Sequence, residues 1–263
     1  MHQFRRKGIL LVSSIPQFVG TASYYLRASM KGIIIHSIAY GDYSRIAHIL
    51  LETEGLKSFM VRKGKGNRSK NNHLLAPLTI VELEAHLREN ANIHNLTQLN
   101  SAYAFQSIPF DPVKASIALF CSELLHKTLH NDYINVGLFK FICNSAIALD
   151  QAASPANFPI AFLCGLCSHY GFEIQLLDVQ AKRFDLASGE ISSGFSAQPS
   201  LLNERECAVL AALAATDSDV FSIAANQTER RNITDTLIAY LKQHLDMRFE
   251  IKSTSVLHEV FSD

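Results

Sequence analysis

Two periodicities divide the chain. Between residues 32 and 108, apolar and polar positions alternate in short runs. From residue 112 onward, apolar positions recur every three to four residues. In the first part Gly32–Ile38 is β-branched and strand-like, and Ala39–Tyr43 is a turn. Ser44–Thr53 alternates well enough for a second strand, and Glu54-Gly55 is a hairpin signal. Leu56–Arg62 forms a third strand, with Leu56, Ser58 and Met60 on one face and Lys57, Phe59 and Val61 on the other. Leu75–Leu87 and Leu96–Ile108 are two further apolar runs. Five short strands joined by turn chemistry predict a small closed barrel of the five-stranded OB kind.

At Asp111-Pro112 the period changes. Asp111 suits an N-cap and Pro112 the first helical position. Ala115, Leu119, Leu124, Leu125 and Leu129 then form one helical stripe. Asn135–Ala152 predicts a second helix, and Phe158–Tyr170 a third that Gly171 stops. Helices resume over Glu204–Thr216, capped by Asn203, over Thr228–Leu245, and over Ser253–Phe261. Between them, Phe172–Phe195 carries Gly189, Gly194 and a strand-like Phe184-Asp185-Leu186 and reads as an irregular, extended insert. The expected fold class is therefore α+β. An OB-fold barrel over residues 30–110 precedes a mainly α-helical domain over 111–263, with the insert at 172–195.

Residues 1–29 do not share this regularity. Arg5-Arg6-Lys7 before Gly8–Val12 permits a signal peptide, but Ser13, Ser14 and Pro16 break its apolar core. The reading that fits better is an upstream extension or disordered N-terminus, with Met30 as the functional start, because the pattern becomes regular right after it. The odd count of 5 cysteines, without framework spacing, also suits a reducing cytoplasm better than export. No apolar run reaches the ~18–20 residues that span a bilayer.

Charge changes the picture more than composition does. The 263 residues are 48% hydrophobic and 18% charged, with a formal net charge of zero. That zero hides a split. Residues 1–29 hold four basic and no acidic residues, 30–110 nine and six, and 111–263 eleven and eighteen. The densest excess runs from the third strand into the following segment. Lys57, Arg62, Lys63, Lys65, Arg68 and Lys70 lie there with no acid among them. A strand running into a glycine-broken cationic segment suits a polyanion such as nucleic acid, although a solvated hairpin tip carries the same pattern. Barrels of this kind stack bases on aromatics, and Tyr40, Tyr43 and Phe59 are the nearby candidates, each also suited to the core or rim. If about four of the cations neutralise phosphates, the salt dependence for single strands has a slope near ~−3.

Other constellations carry less. Cys164 and Cys167 supply only half a structural zinc site and sit inside an apolar helix, so they read as small buried hydrophobes. His169 nearby would make a Cys2His set at most. Gly64-Lys65-Gly66 lacks the spacing of a phosphate-binding loop, and no nucleophile elbow or paired-carboxylate arrangement stands out. The expectation is a protein without catalytic residues, cofactor or metal. Arg230-Arg231 opens a helix where the dipole disfavours cations, so the pair is either a solvated face or a second anion contact.

The ordered strings resemble the RecO family of bacterial recombination mediators. They are Gly32–Ser44, Leu51–Lys57, Val61–Lys70, Leu75–Thr79, Glu123–Leu125, Leu138-Phe139, His169–Phe172 and the closing Lys252–Leu257. The resemblance extends from Met30 to about Phe261 and agrees with a start at Met30. It implies an N-terminal OB-fold, a helical C-terminal domain and no cofactor-driven chemistry. It implies a cytoplasmic, non-enzymatic protein that binds single- and double-stranded DNA and anneals complementary strands. Working with RecR, such a protein helps load RecA on DNA coated by single-stranded-DNA-binding protein (SSB). Many members carry zinc-binding cysteines in the insert, but here Phe172–Phe195 contains none. The family also docks the acidic, Phe-ended SSB tail on the helical domain, which makes Arg230, Arg231, Lys127 and Lys140 candidates for its cationic rim. The alternative function is a repair adaptor with weak or no DNA binding, left open by the acidic helical half.

Overall fold

The computed structural model describes residues 29–62, 73–88, 91–130, 134–177, 182–193, 200–214 and 223–261. Its first part is a closed five-stranded barrel. The strands are β1 (Met30–Tyr40), β2 (Ser44–Leu51), β3 (Gly55–Arg62), β4 (Ile80–His86) and β5 (His94–Ser101). Around the barrel the order is β1-β2-β3-β5-β4, and β1 pairs with β4 to close it. All pairings are antiparallel except β3 with β5, where Phe59 lies opposite His94. This mixed, closed arrangement is that of an OB-fold. The β2–β3 hairpin turns through Glu52–Glu54, and Gly55 opposite Leu51 takes a φ of 71°, a left-handed conformation open to glycine.

Ile34, Ala47, Ile49, Leu51, Phe59, Val61, Val81, Leu83 and Leu99 fill the barrel. Phe59 is fully buried there, with its ring 5.7 Å from that of His94. Of the two readings open for Phe59, core and stacking platform, its burial in the inward row of β3 supports core. Tyr40 and Tyr43 are 53% and 70% exposed.

The helical part contains α1 (Pro112–Thr128), α2 (Val136–Gln151), α3 (Phe158–His169), α4 (Glu204–Ala214), α5 (Gln227–His244) and α6 (Ser253–Val260). Their starts are set by side-chain caps. Asp111 accepts from the amides of Val113 and Lys114, and Asn135 from that of Leu138. Asn203 with Glu206 and Asn226 with Glu229 form reciprocal pairs, the second a capping box. Gly171, at φ 89°, stops α3.

The insert is more ordered than its composition suggests. β6 (Gln175–Leu176), β7 (Arg183–Phe184) and β8 (Glu190–Ser192) form a small sheet in the order β6-β8-β7. Strands of two or three residues are too short to show an alternation, hence the expectation of irregular structure. Phe184 and Ile191 anchor this sheet in the main core. Tyr240 of α5, fully buried, packs edge-on against Phe172 and Phe184 and donates to the Phe172 carbonyl at 3.2 Å. Aromatic packing thus holds the insert, and its described side chains do not form a thiolate donor set.

Barrel and helices share one apolar core. Ile33 and Ile35 of β1, with Leu50, Leu56, Leu78 and Ile80, point outward and pack in the same cluster as Ile117, Leu124, Leu163 and Leu237. Alternation explains this: Ile34 faces the barrel interior while its two neighbours face α1. The Ser122 hydroxyl of α1 donates to the Ile35 carbonyl across the seam. A polar lock secures the segment that leaves the barrel after β5. The Asp150 carboxylate at the end of α2 accepts from the amides of Gln106, Ser107 and Ile108 at 2.8–2.9 Å. Buried Lys114 donates to the Ser107 hydroxyl and the Asp150 carbonyl, each at 2.8 Å. Among the described residues no helix is long and apolar enough to cross a membrane.

Candidate nucleic-acid interface

The strand that begins the basic run is β3, and pairing with β2 positions it. Arg62 lies opposite Ser44 at the strand's end and is exposed. Lys57 lies opposite Ile49 in the inward row, is half-buried, and together with burial lowers the pKa of His94. Lys57 and Arg62 thus occupy opposite rows of β3. Lys63, Lys65, Arg68 and Lys70 lie outside the described residues. The chain leaves β3 at Arg62 and resumes at His73, where His73–Leu75 forms a short 3-10 helix.

The remaining cationic candidates sit on three surfaces. Lys140 is exposed on α2. Arg231, exposed, lies 3.9 Å from Asp235 one turn away. Arg230 is partly buried: its guanidinium donates to the Ala225 carbonyl and lies 5.7 Å over the Phe261 ring. Both arginines border a small cleft with Pro159, Leu257 and Phe261. Lys127 is exposed in the last turn of α1, on the other side of α6, where Val256 faces it across a groove. The structure therefore does not bring Lys127 together with the arginine pair.

That groove lies along the seam between β1, α1 and α6 and encloses about 800 Å³. Its cations are Arg45, Lys127 and Lys252. Arg45 reaches across β1, donating to the Ser37 carbonyl at 3.0 Å and the Ser37 hydroxyl at 2.9 Å. The acid in the groove, Glu123, is already engaged. Its carboxylate accepts from the amides of Lys252 and Ser253 and from the Ser253 hydroxyl, at 3.0, 2.8 and 2.6 Å. Burial would raise its pKa, but these bonds and nearby Lys127 outweigh that and lower it.

Three histidines stand along the same seam. The rings of His36 and His126 stack at 4.5 Å, and that of His48 lies 6.0 and 5.2 Å from them. Burial, and the neighbouring rings and cations, lower all three pKa values, that of His126 to about 4. The trio is therefore neutral at pH 7. Stacked rings aim their nitrogens sideways rather than at a common point. Among the described residues no group of three His, Cys, Asp or Glu is placed to hold a metal ion. On α3, burial pushes the Cys164 thiol up to about 12 and raises Cys167 as well, which disfavours the thiolates that zinc needs. His169 packs at 4.8 Å on Phe141.

Sequence reasoning missed Arg45, Lys252, His36 and His126. They come from three distant stretches, and only the Gly32–Ser44 and Lys252–Leu257 strings included any of them, His36 and Lys252.

The barrel and helical parts are each matched by a family. The model for the recombination protein O N-terminal domain matches residues 26–105, and that for the C-terminal domain matches residues 109–253. The chain belongs to the recombination protein O (RecO) family. Relatives include the DNA repair protein RecO of Flavobacterium psychrophilum, 30% identical over 240 residues that span 90% of this chain and 100% of that one. The DNA repair protein RecO of Bacteroides fragilis is 30% identical over 238 residues, or 88% and 97% of the two chains. That of Porphyromonas gingivalis is 27% identical over 240 residues, or 88% and 98%.

Proposed function

We propose that this RecO-family chain is a cytoplasmic DNA repair and recombination mediator and not an enzyme. It binds single- and double-stranded DNA, anneals complementary strands and, with RecR, helps load RecA on SSB-coated single-stranded DNA. The observation that carries this reading is the junction of an OB-fold barrel with an acid-free cationic run. β3 ends at exposed Arg62, and the sequence continues through Lys63, Lys65, Arg68 and Lys70. Such a surface neutralises phosphates whatever the base sequence, as a mediator working on any broken chromosome requires. Exposed Tyr40 and Tyr43 at the β1–β2 turn supply faces on which bases stack. Lys57, half-buried in the inward row, supports the end of this surface electrostatically rather than at its front.

The helical half carries the proposed contact for the SSB tail. The cleft bordered by Arg230, Arg231, Pro159 and Phe261 combines cations with apolar walls, the chemistry an acidic, Phe-ended peptide requires. Lys140 stands apart from that cleft on α2.

Annealing of SSB-coated complementary oligonucleotides, followed at two salt concentrations, tests the reading. The mediator speeds annealing at low salt and loses that effect at high salt. An adaptor without DNA binding leaves the rate at the SSB-only level in both.

A further inference from the structure

We propose that single-stranded DNA continues off the barrel into the seam groove, along Arg45, Lys127, Lys252, Lys242 and Arg248, with His36 and His126 as its stacking floor. This rests on the DNA-binding reading above and extends it to the acidic helical half.

The first support is charge. None of the five cations is paired with a carboxylate among the described residues. Three acids, Glu123, Asp246 and Glu250, line the tract against five positive charges, and the Glu123 carboxylate is turned to the start of α6 by its three bonds. In a half of the chain that is acidic overall, this is a local reversal of sign and a natural seat for a polyanion.

The second support is shape. Lys127 and Lys252 line both the seam groove and a second groove of about 890 Å³ that Lys242, Arg248 and Phe249 continue. The two form one open trough rather than a closed pocket, which fits a polymer that enters at one end and leaves at the other. Lys242 lies 5.3 Å over the Phe249 ring at the far end.

The third support is continuity with the barrel surface. Arg45 follows Ser44, which pairs with Arg62. Leu75, Ala76 and Pro77, where the chain re-enters after the basic run, line the groove. The re-entry end of that run therefore lines the trough, and β2, which carries Arg45, pairs with the strand that ends at Arg62.

The fourth support is the floor. His36 and His126 stack at 4.5 Å beside partly exposed Leu119 and Val256. Neutral imidazole faces stack on unpaired bases without reading their identity. The Nδ1 of His126 is buried without a hydrogen-bond partner among the described residues. An acidic peptide would also meet cations and apolar side chains here. It would not call for a trough that begins at the barrel's cationic edge.

The test uses the full chain and a fluorescein-labelled oligo-dT, with anisotropy measured over a salt series. The triple variant Lys127→Ala/Lys252→Ala/Arg248→Ala removes three exposed side chains and should melt as wild type does. Loss of three phosphate contacts should reduce the salt slope by about 2 and weaken low-salt binding at least about tenfold. The pair Lys242→Ala/Arg248→Ala should give a smaller loss in the same direction. A triple variant that binds like wild type, while Arg62→Ala/Lys63→Ala/Lys65→Ala/Arg68→Ala loses affinity, overturns the groove path and leaves the barrel reading intact. A triple variant that keeps oligo-dT binding but loses an acidic, Phe-terminated peptide assigns the trough to a peptide and also overturns the proposal. A wild-type chain that does not bind oligo-dT at all removes both readings.

Discussion

The carboxylate of Glu123 on α1 accepts from the Ser253 amide at 2.8 Å and the Ser253 hydroxyl at 2.6 Å, and so caps α6 across 130 residues of sequence. The start of α6 has no side-chain cap of its own, so a residue from another helix supplies the acceptor. This gives the closing Lys252–Leu257 string a physical role: it docks the last helix against the wall of the seam groove. Glu123→Ala should lower stability by ~1–2 kcal/mol, as loss of a cap does. Glu123→Gln, which keeps one acceptor oxygen, should cost less. Urea unfolding of the three proteins side by side checks the order.

Asp150 should matter more. Its carboxylate satisfies three consecutive amides, Gln106 to Ile108, in the segment that links the barrel to α1. Asp150→Ala leaves these without an acceptor, for a loss of at least ~2 kcal/mol. Burial opposes ionisation here, but the hydrogen bonds win and lower the pKa. A carboxylate with a depressed folded-state pKa contributes stability that is present above its unfolded value, near ~3.9, and lost as pH falls through the folded value. The acid limb of the wild-type stability curve should therefore flatten in Asp150→Asn, as read from urea midpoints between pH 5 and pH 2.

The stacked histidines titrate in a different window. Their folded-state pKa values lie below the ordinary 6.5, that of His126 at about 4. The unfolded chain then binds protons that the folded chain does not, so stability is full above ~6.5 and falls as the pH drops towards 4. His126→Gln should remove most of this slope between pH 6.5 and 4.5 without altering stability at pH 8 by more than ~1 kcal/mol. A wild-type profile that is flat in this window would contradict the packing described for the trio.

Much of the architecture was readable because it is written locally. Asp111 and Asn203 announced helix starts, and Gly171 a stop, through interactions within three or four residues. Period-2 runs located all five barrel strands, although Leu75–Leu87 begins before β4 and Leu96–Ile108 runs past the end of β5 at Ser101. The rows of β3 were also correct, but not which row faces inward. Leu56, Ser58, Met60 and Lys57, Phe59, Val61 are both mixed, and barrel closure alone decides that Phe59 is core. The seam groove was hidden for a related reason. Arg45, Lys127 and Lys252 belong to three elements whose meeting depends on Ile33 and Ile35 packing outward against the helices. The insert's strands are shorter than one full alternation, so strand-like Phe184-Asp185-Leu186, overlapping β7, was the one trace of its sheet.

The central claim is that the cationic run leaving β3 holds DNA. The most direct measurement is the salt dependence of oligo-dT affinity for wild type and for Arg62→Ala/Lys63→Ala/Lys65→Ala/Arg68→Ala. The account predicts that the logarithmic slope shrinks by about 3 in the variant, four phosphate contacts being lost, while the melting temperature is unchanged. An equal slope and affinity in the two proteins would contradict it.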